Sequence, residues 1–392
     1  MTAAPYKKEI LVEDERHRGF PAVVKYGPYL LLSGSDGHRD LTTEKINPAL
    51  DNKPTEQCRN AYGRVARRLE KAGYGGEAAV WIENFTSGQT WRLERMALWP
   101  EFFGEEEHGN VVSFGSQTKM NGLNMLTANV MAMVPEVPRV VGVKQPHKGR
   151  ASRVTRCGDL VFVIGVRGKA HPVTKIDSPE EEDDGAFDTQ LDNCFETIKS
   201  HLSKLDTPMG NLVRVDGSLR SVNNASRYRE IAKRHFSGKL PFAGLSIGTI
   251  LGGRIEQEVG GIAAAPGVMK EIAWSKRDPD RAEAATAGGL VFTSGCSGLL
   301  DGMHGEIRRD LYGDLQGQVK QAITTLEAAL GRLGSGLDRA LRLDIFLRDI
   351  YSDEAVIRTL KEILGRDMPA LTIIGADPEY GADIELVAIA GR

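Results

Sequence analysis

Two glutamates stand in stretches that are otherwise apolar, Glu258 in EQEVGGIAAA and Glu385 in DIELVAIAGR. Burial penalises a charged carboxylate, so such a group needs a donor partner or takes up a proton. Held in that way, it can position a water molecule and pass a proton, which is general acid–base work. The plainer alternative is a structural pair with a backbone amide or with a basic strand residue, Arg214 or Arg342. For those two arginines, ion pairing rather than substrate binding is the reading. Asn129, in ANVMAMV, precedes Glu258 by the interval that separates Glu258 from Glu385, about 130 residues. Two acids and one amide are therefore expected at one repeated position. An amide donates and accepts hydrogen bonds but takes no proton near neutral pH, so the sites are expected to be unequal.

A second group of candidates lies at a repeated turn. The phrases YLLLSGSDG, LVFVIGVRG and LVFTSGCSG place Gly34, Gly165 and Gly295 at matching points. Glycine there lets backbone N–H groups approach an anionic or carbonyl oxygen, so all three are candidate binding positions for developing negative charge. Ser33, Ser294 and Cys296 flank the turns. Ser294 and Cys296 are candidate substrate contacts, although a buried thiol is more often a small filler. A serine nucleophile would need a base, and no histidine or lysine stands at a repeated position to activate one. His38 and Arg39 follow the first turn and read as a surface loop that could rim a cleft.

These residues must be held by elements that also recur. Gln57, Gln190 and Gln318 each open an amphipathic helix, and Trp81, Arg214 and Arg342 each lie 24 residues beyond their glutamine in a short strand. In the third helix Val319, Ala322, Ile323, Leu326, Leu330 and Leu333 follow helical spacing. A second helical stretch and a closing strand pair complete each copy, giving ββαβαββ three times. The predicted units are residues 1–137, 138–268 and 269–392, joined at the loops PEVPRVVGVKQPHKG and APGVMKEIAWSKRDPD. The acidic run Asp177–Gly185 reads as a solvated loop inside the second unit.

Composition limits the function classes. Hydrophobic content of 41% and charged content of 26% are those of an ordinary globular chain. A net charge of −3 gives no electrostatic case for nucleic acid or an anionic membrane. No apolar run approaches the ~18 residues of a membrane helix, and the first residues lack a secretion signal. Four cysteines without CxxC spacing predict free thiols in a reduced, cytoplasmic protein. Eight histidines form no HExxH pattern, so neither metal nor cofactor is expected.

The order of an SG strand, a glutamine-led helix, a strand with a basic residue, and a closing P-A-x-T … IELVAIA resembles the Rid family of reactive-intermediate deaminases, the YjgF-like proteins. The third unit is the nearest to the family pattern and the first is the most divergent. The resemblance implies an α+β fold of three tandem Rid/chorismate-mutase-like units. Family members are homotrimers with ligand clefts between neighbours, so one chain of three units implies a pseudo-trimer with a central β core and outer helices. It would be a monomer, or a dimer of such chains, acting on a small molecule. The implied chemistry is hydrolysis of an enamine or imine to a keto acid and ammonia, with water handled by Glu258 or Glu385. An arginine in the family's P-A-R segment clamps the substrate carboxylate. Here that segment reads PALT with Leu371, PFAG near Ala243, and VSFG. Arg153 and Arg281, which stand near the family's cleft tyrosine, are the candidate substitutes. Two alternatives remain. One is a ring-opening amidohydrolase of the cyanuric acid hydrolase and barbiturase type, and the other is a non-catalytic small-molecule-binding protein.

Overall fold

A computed structural model describes residues 6–13, 19–41, 45–87, 97–104, 111–120, 123–144, 151–164, 187–251, 255–301, 305–365 and 368–392. Gly165 and the acidic run at 177–185 lie outside the described residues. The first third contains β1 (Lys8–Glu13), β2 (Pro21–Tyr26), β3 (Tyr29–Leu32), β4 (Ser35–Asp36), α1 (Pro54–Lys71), β5 (Ala79–Thr86), α2 (Trp99–Phe103), β6 (Val111–Gln117) and β7 (Leu126–Met133). The second contains β8 (Arg139–Lys144), β9 (Ala151–Cys157), β10 (Leu160–Val163), α3 (Phe187–Ser203), β11 (Leu212–Leu219), α4 (Ala225–His235), β12 (Leu240–Gly248) and β13 (Gln257–Ala264). The third contains β14 (Ile272–Trp274), β15 (Arg281–Ala287), β16 (Leu290–Thr293), β17 (Cys296–Ser297), α5 (Leu315–Gly331), β18 (Ala340–Leu347), α6 (Asp353–Leu364), β19 (Ala370–Gly375) and β20 (Ile384–Gly391).

The order differs from ββαβαββ in two respects, one being the two-residue strands β4 and β17 that follow β3 and β16. Each third also opens on an additional strand, β1, β8 or β14, paired antiparallel with the next strand. Two of these strands lie in the segments read above as joint loops. Pro138 precedes β8 and Pro279 follows β14, and Gly142 sits inside β8 at a register shift.

Within each third the final strand is central. β20 pairs antiparallel with β16, β17 and β18, and β18 pairs parallel with β19. The thirds then run into one another, because β6 pairs parallel with β9 and β12 with β15. Between the first and third, the Gly34 amide donates to Leu371 O at 3.1 Å. Helices cover the outer sheet faces. In α5, Val319, Ala322, Ile323, Leu326 and Leu330 are buried against Leu343, Ile345, Leu386 and Ala388. The opposite sheet faces share a core drawn from all three thirds, including Leu31, Trp81, Met131, Phe162, Val213, Ile262, Phe292, Leu341 and Ile389.

The helix-opening glutamines anchor this arrangement. Gln57, Gln190 and Gln318 are fully buried. Their side-chain oxygens accept from the backbone N–H of Met125, Glu256 and Asp383 at 2.7, 2.9 and 2.7 Å. Each bond fixes the chain just before its final strand, where a buried amide left unpaired would be costly.

Candidate active site

A cavity of about 410 Å³ opens between the second and third thirds. Arg281, Ser294, Gly295 and Cys296 line it from the third, together with Arg277 and Tyr380, and Arg229 reaches it from α4. Glu385 stands immediately behind Gly295, and a methyl group on that glycine would meet Oε1 at 1.9 Å. The missing side chain at Gly295 is what leaves room for the carboxyl. Burial pushes Glu385 up to about 8, the nearby Glu379 carboxylate adds to this, and Arg281 and Arg229 oppose it. Its surroundings therefore favour the protonated carboxyl over the carboxylate.

The Gly295 amide does not serve a ligand. It donates to Gly244 O at 3.0 Å, as the Gly34 amide does to Leu371 O at the seam between the first and third thirds. The expected role of these two N–H groups toward developing charge is therefore corrected, since strand-to-strand bonding consumes them. The serines are tied in the same way. Ser294 Oγ donates to Ala282 O at 2.8 Å and accepts from Gly244 N–H at 2.9 Å. Ser33 Oγ donates to Pro21 O at 2.7 Å and accepts from Leu371 N–H at 2.7 Å. A hydroxyl so placed staples a seam and is a poor nucleophile, which counts against the serine-dependent ring-opening alternative. The Cys296 thiol, buried and facing Glu385, is pushed well above its ordinary value and stays protonated.

Strand register corrects the first-third residue. Glu385 pairs with Phe346 and Glu258 with Ser218, whereas the matching partner of Phe85 is Thr127. Asn129 pairs with Glu83, two residues further along. The glutamine bonds agree, since Met125, Glu256 and Asp383 each stand two residues before Thr127, Glu258 and Glu385. Counting along the sequence missed this because the loops differ in length between thirds.

Asn129 instead belongs to a buried polar cluster shared by all three thirds. Its amide donates to Glu83 Oε2 at 2.7 Å and Asp344 Oδ1 at 3.0 Å, and its oxygen accepts from Thr372 Oγ1 at 3.1 Å. Arg342 Nη2 reaches Glu83 Oε2 at 3.2 Å and Asp344 Oδ2 at 3.0 Å, and Arg214 Nε binds Asp216 Oδ2 at 2.7 Å. Arg214 and Arg342 thus form ion pairs as expected, but with Glu83, Asp216 and Asp344 rather than with Glu258 or Glu385. Burial raises Glu83 to about 7, while Arg342 and Arg214 act in the other direction.

The two candidate clamps separate. Arg281 Nη2 donates to Gly244 O at 3.4 Å from the cavity wall. Arg153 holds the position of Glu283, because Val154 pairs with Val163 as Ala284 pairs with Thr293. It does not line the described cavity. Glu258 is half-buried, and Gly165, the turn glycine of its third, lies outside the described residues. Arg229, Arg277, Glu379 and Tyr380 were not anticipated. The PEYG turn signal around Tyr380 was legible, but nothing marked Arg229 within the basic run of its helix.

Among the described residues no His, Cys, Asp or Glu cluster is arranged to hold a metal ion, and no helix is long and apolar enough to cross a membrane.

The family model described as Endoribonuclease L-PSP matches residues 281–391, which include Arg281, Gly295 and Glu385. The mitochondrial protein mmf2 of Schizosaccharomyces pombe is 33% identical over 114 residues, covering 28% of this chain and 86% of that protein. The chain belongs to the Rid (YjgF/UK114) family. RutC family protein UK114 of Drosophila melanogaster is 28% identical over 112 residues, covering 28% of this chain and 78% of that protein. A solved chorismatase is similar in fold over 80% of this Rid protein and 93% of its own chain, with a TM-score of 0.53 at 14% identity. The likeness extends well beyond the 28% covered by the sequence relatives.

Register also relates the PALT and PFAG segments to one another. Arg342 pairs with Ala370 and Arg214 with Ala243, so Gly244 corresponds to Leu371. The Arg281 guanidinium lies against the Gly244 carbonyl.

Proposed function

We propose that this Rid protein is a hydrolytic deaminase of a small enamine or imine carrying a carboxylate. In this reading units 1–137, 138–268 and 269–392 surround a pseudo-threefold axis, and the seam between the second and third is the working cleft. The observation that carries it is the buried carboxyl of Glu385 behind the glycine wall of an arginine-bearing cavity.

Arg281 binds the substrate carboxylate through its fork of donors. The Glu385 carboxyl then gives its proton to the terminal carbon of the enamine, leaving an iminium ion. The resulting carboxylate takes a proton from water as the water oxygen bonds to the iminium carbon. The Glu385 carboxyl then passes its proton to the adduct's nitrogen and takes the hydroxyl proton as the C–N bond breaks, which releases ammonia and a keto acid, so one water is consumed per turnover. No redox partner is needed.

The similarity to a chorismatase supports a second reading, in which the substrate is an enol ether such as chorismate. An enol ether is also protonated on carbon before water adds, so Glu385 would serve both. The discriminating experiment follows ammonia release from freshly generated 2-aminoacrylate and pyruvate release from chorismate, with wild type and Glu385→Gln. Ammonia release that depends on Glu385 supports deamination. Pyruvate release alone establishes the second reading. Stoichiometric binding of either compound without turnover would make the protein a binder and overturn both.

A further inference from the structure

The residues around Glu385 come from two thirds of the chain. Arg229, on α4, makes a two-pronged ion pair with Glu379, with Nη1 at 2.6 Å from Oε1 and 2.8 Å from Oε2. The pair is largely buried, the side chains being 15% and 6% exposed. Glu379 also turns its backbone N–H toward Glu385 Oε2, at 3.4 Å. The next residue, Tyr380, adopts φ 62° and ψ 13°, a left-handed conformation that is costly for a residue with a side chain, and Gly381 follows at φ 72°. Arg277 lies over the Tyr380 ring at 5.3 Å, at the cavity wall. The strained turn is thus held from both sides, by Arg229 through Glu379 and by Arg277 through Tyr380.

We propose that Glu379 and Arg229 are positioning residues for Glu385, a charge relay across the seam that orients the acid and sets the pH range in which it keeps its proton. The proposal rests on the reading of Glu385 as the working acid. Among the described residues, the charged and titratable groups facing Glu385 are Glu379, Arg229, Arg281 and the Cys296 thiol. Of these, Glu379 is the nearby negative charge that makes ionisation of Glu385 harder, and Arg229 moderates it. A local ion pair therefore does more than join two segments, because it couples the seam to the chemistry.

The test is a carbon-13 titration of the intact chain labelled at glutamate side-chain carboxyls, with the Glu385 signal assigned by its loss in Glu385→Gln. In Glu379→Gln the Glu385 midpoint is expected to fall by about one pH unit or more, since a like charge has gone. In Arg229→Met it is expected to rise, because a cation that favours the Glu385 carboxylate is missing. Glu379→Asp keeps the charge and is expected to stay near wild type, which provides a folded conservative comparison. Midpoints that stay put in both Glu379→Gln and Arg229→Met, or that move in the same direction, overturn the relay. Because the titration needs no substrate, its outcome is separate from that of the functional reading. Shifted midpoints in a protein that turns over nothing remove the deaminase and leave the relay. Turnover with unmoved midpoints does the reverse.

Discussion

The side-chain oxygen Oε1 of Glu385 occupies the space that a β-carbon on Gly295 would need, at 1.9 Å. At the equivalent seam, Gly34 faces the methyl groups of Thr372 and Thr127 at 3.0 and 3.2 Å. One glycine makes room for an acid and the other only for packing. Neither has a positive φ, so alanine changes space and not backbone preference. Gly295→Ala is expected to displace Glu385 and lower kcat/KM by about 10²–10⁴-fold, the usual worth of acid–base help. Gly34→Ala is expected to lower the melting temperature while leaving turnover by the folded protein within about threefold of wild type. Steady-state rates alongside thermal melts decide it, and equal activity in the two variants would remove Glu385 from its place behind the turn.

The raised proton affinity of Glu385 carries a sign. If the protonated carboxyl is the acid, kcat/KM holds below about 8 and falls about tenfold per pH unit above it. The same group weakens the fold as it ionises. Its contribution to stability is complete below its ordinary value of 4.5 and is lost as pH rises through about 8. Glu385→Gln is expected to abolish the rate limb and to flatten part of the stability slope between those limits. A rate that rises through pH 8 in the wild type would show that the ionised form does the work.

Asn129 gives a contrast that the corrected register makes sharp. Asn129→Ala removes two donated bonds from the buried carboxylates of Glu83 and Asp344. The expected cost is about 1–3 kcal/mol of stability, the range for leaving buried polar groups short of a partner. Turnover by the folded protein is expected to persist, because the cavity is lined from the second and third thirds. Thr127→Val keeps the shape of the side chain at the true counterpart of Glu385 and is expected to change activity little. Denaturant titrations and rates on both variants test this, and loss of activity without loss of stability in Asn129→Ala would return that residue to a cleft.

Much of this was legible in the chain because repetition exposes constraint. The glutamines Gln57, Gln190 and Gln318 stood out by spacing, and they proved to pin the residue two before each acid position. The helices and sheet strands followed from apolar periodicity, which packing must satisfy. What spacing could not give was register across loops of unequal length. For that reason Asn129 stood in for Thr127, and Arg153 was grouped with Arg281 although it matches Glu283. The roles of the turn amides were hidden for another reason. Whether Gly295 N–H faces a ligand or Gly244 O depends on a strand 51 residues earlier in sequence, and no local signal reports it. Arg229 was invisible on the same ground, since its partner Glu379 lies 150 residues away.

The last prediction concerns which residue holds the substrate's carboxylate. Arg281 approaches the Gly244 carbonyl from β15 at 3.4 Å. If Arg281 binds the carboxylate, Arg281→Met should act chiefly on substrate capture. Charge-assisted hydrogen bonds are worth about 1.5–3 kcal/mol, so KM is expected to rise about 10–100-fold with a smaller change in kcat. Arg281→Lys should recover only part of this, because a point charge lacks the fork that matches two carboxylate oxygens. The stronger test moves the arginine across the seam. A β-carbon on Gly244 would meet Phe242 no closer than 3.7 Å, and both backbone groups of Gly244 keep their seam bonds whatever its side chain. Gly244→Arg in the Arg281→Met background is therefore expected to fold and to bring KM back toward wild type. Rescue would show that the carboxylate clamp can sit on either strand of the seam. A double variant that folds, binds no better than Arg281→Met and keeps the same kcat would place the substrate's carboxylate elsewhere in the cavity.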